Sequence, residues 1–255
     1  MAMRYVQKLK PDIGAEDAPG ARTSVFGSLN AIGPCRIDHV RLSAAASPVD
    51  LHSPTEERLI YVLAGAVALR EGANVVRLEA NDFLFVPRSR AIVMMGTDSS
   101  AQLLDIHVPV TCDLPSLGAA KALSALKGRV DENAFSAHTA HAAEGRAFDT
   151  QTLVDRKMGS ESIKAFVSLV HPGSGMGLHV HPFDQFYYVL HGQLSVRLGF
   201  DAGVMSDGDI VAFPAGLIHS NSNDGAGPTL LLTINVPEVP AGTKGAYTID
   251  LQSQN

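Results

Sequence analysis

Short apolar runs, rich in β-branched and aromatic residues, recur along the whole chain and are broken by Gly, Pro, Asn or Asp. The first half offers "CRIDHVRLSA", "RLIYVLAGAVALR" and "DFLFVP". The second offers "SIKAFVSLVH", "QFYYVLHGQLSVRLG", "DIVAFP" and "TLLLTINVP". Strands this closely spaced predict an all-β sandwich or barrel in each half. The chief departure is "LPSLGAAKALSALKGRV", residues 114–130, where Leu117, Ala120 and Leu123/Ala124 fall at helical spacing.

The two halves are copies of one another. Sliding the chain by 127 residues lays "LHSPTEERLIYVLAGAVALREG" over "LHVHPFDQFYYVLHGQLSVRLG", with Leu51, His52, Tyr61, Val62, Leu63, Gly65, Arg70 and Gly72 matched. The same offset, without a gap, places Asp82 and Pro87 on Asp209 and Pro214, and Val40 and Leu42 on Val167 and Leu169. So long a period, present twice, marks a duplicated domain, because solenoids repeat at much shorter intervals. The expected organisation is an arm (residues 1–20), a first barrel (21–112), a partly helical linker (113–160) and a second barrel (161–255).

Composition narrows the function class. The 255-residue chain is 45% hydrophobic and carries a net charge of −6, with no Lys/Arg cluster, which argues against a nucleic-acid footprint. Two cysteines, Cys35 and Cys112, are too few for a disulfide framework. The N-terminal stretch lacks the apolar core of a signal peptide, and no run approaches a membrane span of roughly 20 apolar residues. The expected setting is cytoplasmic.

Chemistry concentrates in "GLHVHPFDQFYYVLHG", residues 177–192. His179 and His181 are separated by one residue, so a strand presents both imidazoles on one face. Gln185 follows, and "GDIVAFPAGLIHSNSN" later supplies His219 and Asn223. Three neutral imidazoles suit Zn, Fe, Ni or Cu, and an amide oxygen adds a harder contact. Together these stretches resemble the two signature motifs of the cupin superfamily. The first motif reads G-x5-H-x-H-x3-E-x6-G, met by Gly173, His179, His181 and Gly192, with Gln185 replacing the acid. The second reads G-x5-P-x-G-x2-H-x3-N, met by Gly208, Pro214, Gly216, His219 and Asn223. The resemblance implies two tandem jelly-roll β-barrels, a bicupin. It also implies one divalent transition metal (Fe, Mn, Ni or Zn) held by His179, His181, Gln185 and His219, and pairing into a homodimer.

The first half has lost that set. By the repeat, Pro54, Arg58 and Ile92 stand for His181, Gln185 and His219, and only His52 survives, opposite His179. A structural role without metal is expected there; a weaker reading uses Arg58 to bind an anion. In the second half a neutral amide leaves the metal its full charge, which favours Lewis-acid work on a small oxygenated acid or carbonyl compound. Isomerase, lyase, ring-opening or hydrolytic chemistry is then expected. A cupin dioxygenase using Fe or Ni is the alternative, and a non-catalytic small-molecule binder a third. Strand alternation puts Tyr187 on the face of Gln185 and Tyr188 on the other, making Tyr187 the candidate for proton transfer or substrate orientation. Asp184 has the wrong parity to reach the site, and His171 and His191 are placed towards the rim. Gly173, Gly192, Gly208 and Gly216 read as turn residues with positive φ.

Overall fold

The computed structural model describes residues 6–8, 22–26, 35–44, 46–110, 126–137, 148–240 and 242–249. Apart from two one-turn 3₁₀ helices, Glu132–Ala134 and Arg156–Met158, its regular elements are strands. They form two compact units, each a pair of antiparallel sheets. These are the tandem jelly rolls implied by the resemblance. No helix among the described residues is long and apolar enough to cross a membrane.

In the second barrel one sheet runs, edge to edge, Val6–Lys8, Asp209–Phe213, Asp184–His191, Thr229–Val236, Lys164–Val170, Phe148–Val154 and Ser136–Ala137. The other runs Asp201–Ser206, Gln193–Leu198, His219–Ser222, Gly175–Val180 and Tyr247–Thr248. Period-two patterning builds the interior: along Gln193–Leu198, Leu194, Val196 and Leu198 are buried while Gln193 and Arg197 are exposed. These side chains join Val170, Val189, Met205, Val211 and Phe213 in one core. Tyr187 sits among them and is 7% exposed.

The first barrel repeats the plan with sheets Lys127–Arg129, Asp82–Val86, Glu56–Ala64, Ala101–Pro109, Arg36–Leu42, Arg22–Phe26 and Val49–Asp50, Val93–Gly96, Ala66–Glu71, Asn74–Glu79. The unit around this barrel also takes in residues 153–163. Buried Glu57 holds that segment: its carboxylate accepts hydrogen bonds from Ser160 Oγ (2.8 Å) and from the Glu161 and Ser162 amides (2.7 and 2.9 Å). The strand Val6–Lys8 belongs to the unit around the second barrel, where Val6 pairs with Val211.

Most of the predicted helix, residues 114–125, lies outside the described residues. Its last part is strand instead: Lys127–Arg129 pairs with Asp82–Leu84. Lys127 and Arg129 both contact the buried carboxylate of Asp82, at 3.1 and 2.5 Å. Gly128 lies against the Phe83 ring, where any Cβ would come within 2.2 Å of a ring carbon. Pairing and charge thus override the helical spacing.

The duplicated turns keep their backbone even where the first half lacks glycine. Gly208 and Gly216 have φ of 81° and 77°, and their repeat-mates Asn81 and Ser89, at 69° and 65°, are the two non-glycine residues with positive φ among the described residues. The gapless repeat does break in two strands. Arg58 faces His107 where its mate Gln185 faces Asn235, and Arg36 faces His107 where Lys164 faces Asn235. The true counterparts in these strands are therefore shifted by one residue: Val40 and Leu42 correspond to Ser168 and Val170.

That shift brings charge inward in the first barrel. Arg36, Asp38, Arg58, Asp105 and His107 occupy the positions of Lys164, Phe166, Gln185, Thr233 and Asn235. Arg58 is 5% exposed and grips Asp105 with two of its guanidinium nitrogens, Nε at 3.0 Å and Nη2. His107 stands 3.3 Å from Asp105 and 3.0 Å from Arg36. The anion-binding reading of Arg58 is thereby overturned, since its charge is already matched by a carboxylate of the same barrel.

Burial alone would push the Asp105 carboxyl up, but the hydrogen bond to His107 and the charge of Arg58 outweigh it and hold the group well below the usual carboxylate range. A depressed folded value contributes stability above the unfolded value of about 3.9, lost as pH falls through the lower folded value. Arg58→Gln leaves Asp105 buried without its main counter-charge, and about 3–5 kcal/mol of stability should be lost at pH 7. Chemical denaturation at two pH values checks this. The deficit relative to wild type should shrink at pH 4, where protonation relieves the stranded charge; a deficit independent of pH would contradict the assignment.

Candidate metal centre

The strand Gly175–Val180 carries His179, and His181 follows its end. It pairs with His219–Ser222, placing His179 directly opposite His219 after a bulge that begins at Met176. One ligand-type nitrogen from each of His179, His181 and His219 lies within 4.8 Å of the others. The rings pack tightly, with His179 and His219 centroids 4.1 Å apart and His181 stacked on Phe183 at 4.6 Å.

Each of the three rings is anchored through the same atom. His179 Nδ1 donates to the Gly177 carbonyl at 2.7 Å, His181 Nδ1 to Gly245 at 2.6 Å and His219 Nδ1 to Leu217 at 2.8 Å. A carbonyl only accepts, so Nδ1 carries the hydrogen and Nε2 presents a lone pair. The Nε2 atoms of His179 and His181 are 3.1 Å apart. Two lone pairs facing each other at that distance repel. Nitrogens sharing one cation at roughly 2.1 Å each can stand that close. His219 Nε2 is fully buried with no hydrogen-bond partner. Burial, then the neighbouring His179, push the His219 imidazole down to about 3, so it stays neutral at physiological pH.

Gln185 is 4% exposed and its Nε2 donates to Asn235 Oδ1 at 3.0 Å. That bond fixes the amide's direction and leaves Oε1 buried without a partner. The two orphaned acceptors, one imidazole nitrogen and one amide oxygen, are atoms that a divalent transition metal would satisfy. The donor set fits such an ion.

The turn that delivers His219 is tied at several points. The Gly216 amide donates to the His181 carbonyl at 2.9 Å, and the Ala215 amide to Asp184 Oδ1 at 2.8 Å. Asp184 thus supports the loop from outside the site. Asn223, fully buried, donates to the carbonyls of Val170 and Gly227, both at 2.8 Å, and closes the end of the barrel. His171 and His191 lie on the surface beside Asp149 and Asp207, at 2.9 and 3.4 Å.

A cavity of about 450 Å³ opens on His179, His181 and Gln185. Its sheet wall is laid out in rows of directly opposed residues, whose side chains share a face. Lys164, Asn235 and Gln185 form one row; Phe166, Thr233 and Tyr187 form the next. Tyr187 points inward as alternation predicts. Its hydroxyl accepts a long contact from Asn221 Nδ2 at 3.4 Å, and burial pushes it well above the ordinary tyrosine range. It therefore remains a donor at physiological pH. Tyr188, on the other side, is pushed up to about 12 by burial and by Asp207 and Asp209.

Several contributors are invisible to motif reading. Lys164, Asn235 and Glu238 line the cavity, and the tail segment holding Gly245 both anchors His181 and closes the wall. Inward parity along their strands was a signal for Lys164 and Asn235; the tail offered none.

Residues 166–235 match the family described as cupin domain. No curated protein matches the chain. Among solved structures, a cupin 2 conserved barrel domain protein from Leptotrichia buccalis is similar at 13% identity over 92% of this chain and 98% of its own, with a TM-score of 0.65. The Lactobacillus farciminis oxalate decarboxylase formate complex is similar at 14% identity, over 98% of this chain and 89% of its own, with a TM-score of 0.65. Bacillus subtilis oxalate decarboxylase, described by its Mn(II) centres, is similar at 13% identity over 98% and 80%, with a TM-score of 0.64. At these identities the likeness is one of fold.

Proposed function

Taking as premise that the second barrel is a cupin domain in a chain of the cupin fold, we propose that the protein is a metal-dependent enzyme. It acts on a small oxygenated acid or carbonyl compound. What carries this reading is the convergence of three imidazole nitrogens, with Gln185, whose buried amide oxygen has no partner, lining the same cavity as His179 and His181. His179, His181, His219 and Gln185 would hold one divalent transition metal. Bound there among neutral ligands, such an ion supplies Lewis-acid polarisation of a substrate oxygen.

The chain's own groups do the rest. Asn235 holds the Gln185 amide so that oxygen, not nitrogen, faces inward. Tyr187, kept protonated by burial, donates a hydrogen bond into the cavity. Glu238 is a carboxylate of the cavity wall and serves to accept and return a proton. The ring of Phe183 covers His181 and excludes water from that side. The neighbouring oxalate decarboxylases share the fold.

Metal analysis of the purified protein tests the reading, with one metal per chain as the expected result. His219→Ala and Gln185→Ala should lose it or weaken it severely. Asn235→Leu should weaken it about 10–100-fold, the usual cost of removing a group that orients a ligand. Tyr187→Phe and Glu238→Gln should keep it. Absence of stoichiometric metal, or full retention by His219→Ala, would overturn the proposal, and oxygen uptake during turnover would move the chemistry to the oxidative class.

A further inference from the structure

We propose that Lys164 is the carboxylate-binding residue of the cavity and that the ligand is a monocarboxylate bearing an apolar body, of the size of a phenyl or branched alkyl group. This deepens the reading of the cavity as a substrate site, and rests on it. Lys164 opens the strand Lys164–Val170, whose inward residues Lys164, Phe166, Ser168 and Val170 all line the cavity. It faces Asn235, which in turn faces Gln185, so the ammonium is carried at the level of the amide, two strands away. At the usual spacing between strands, the two backbones stand roughly 10 Å apart. That leaves room for a ligand between them.

The ammonium is half-buried, 6.0 Å from the Phe166 ring centroid, and makes no ion pair among the described residues. A partly desolvated charge of this kind is costly unless an anion meets it. The first barrel shows the compensated version. There the corresponding residue, Arg36, has Asp38 at 3.4 Å and His107 at 3.0 Å. In the second barrel those two positions are Phe166 and Asn235, neither of which carries charge. The position of Asp38 thus holds no carboxylate beside Lys164, and a ligand's anionic group would supply the charge that Asp38 gives Arg36. Lys244, the other lysine of the wall, lies exposed over Tyr247 and is screened by solvent.

The remaining wall defines the ligand's other end. Phe148, Phe166, Val170, Met176, Phe183 and Leu231 make it largely apolar. At about 450 Å³ the cavity falls in the range of pockets that enclose drug-sized ligands, and a two-carbon acid would leave most of it unfilled. Glu238, on the same wall, disfavours a second carboxylate.

The test is calorimetric titration of the purified full-length protein, with metal content measured on the same samples. The probes are 3-phenylpropanoate, its uncharged counterpart 3-phenylpropanamide, and propanoate. Wild type should bind 3-phenylpropanoate at least tenfold more tightly than either of the others. Lys164→Met should lose at least tenfold for 3-phenylpropanoate and change little for the amide, while Lys164→Arg recovers most of the affinity. Both variants should keep the wild-type melting temperature and metal content. No measurable binding of 3-phenylpropanoate, equal binding of acid and amide, or undiminished binding by Lys164→Met would each overturn the proposal. Should the Lys164 pattern hold in a protein without metal, the metal reading fails and this one stands. Metal at full stoichiometry with an indifferent Lys164→Met gives the reverse.

Discussion

Three hydrogen bonds from imidazole Nδ1 to backbone carbonyls decide what the second barrel can do. The carbonyls of Gly177, Leu217 and Gly245 accept them, and they come from two strand regions and a C-terminal segment. Each fixes a ring's tautomer and its orientation together. Without them three buried histidines would be hydrogen-bonding partners for one another. With them, three lone pairs are directed to one region, an arrangement that is unfavourable unless positive charge fills it. Asn235 does for the amide of Gln185 what the carbonyls do for the imidazoles. Side-chain chemistry and backbone geometry are thus the same problem here, and the jelly roll solves it by pairing the His179 strand with the His219 strand.

The first barrel shows how the same frame can be spent differently. Its turns survive duplication so faithfully that Asn81 and Ser89 adopt the left-handed conformation of their glycine counterparts. Its interior does not. A one-residue shift in two strands, with Arg58 in place of the amide, brings in a set of opposite charges that satisfy one another. A network that is complete in itself, as between Arg58 and Asp105, contributes structure. Two buried acceptors without a partner, His219 Nε2 and Gln185 Oε1, invite a ligand. The contrast between Arg36 and Lys164 is the same contrast in miniature.

Much of this was legible in the sequence, and the reasons are physical. Period-two runs, the duplicated Gly, Asp and Pro positions and the paired histidines report strands, turns and a shared face directly, so the two barrels and the place of Tyr187 followed from residue order. The helical spacing at 114–130 misled at its end, because Gly128 and the pairing of Lys127 and Arg129 with Asp82 are tertiary facts. The gapless repeat also misled, since a register shift changes which side chains meet without changing the run of apolar residues. The reversal of Arg58 from anion binder to ion-pair partner needed Asp105, 47 residues away, and no local pattern links the two. Nor could spacing reveal that the Gly245 carbonyl holds His181.

The most direct check on the account is the protonation state of the three rings. Long-range ¹H–¹⁵N correlation spectra of the metal-free protein at neutral pH distinguish Nδ1–H, Nε2–H and cationic imidazoles. The account predicts the Nδ1–H tautomer for His179, His181 and His219 alike. A ring among them protonated at Nε2 and not at Nδ1 would contradict it, because its lone pair would then point away from the place where the other two converge.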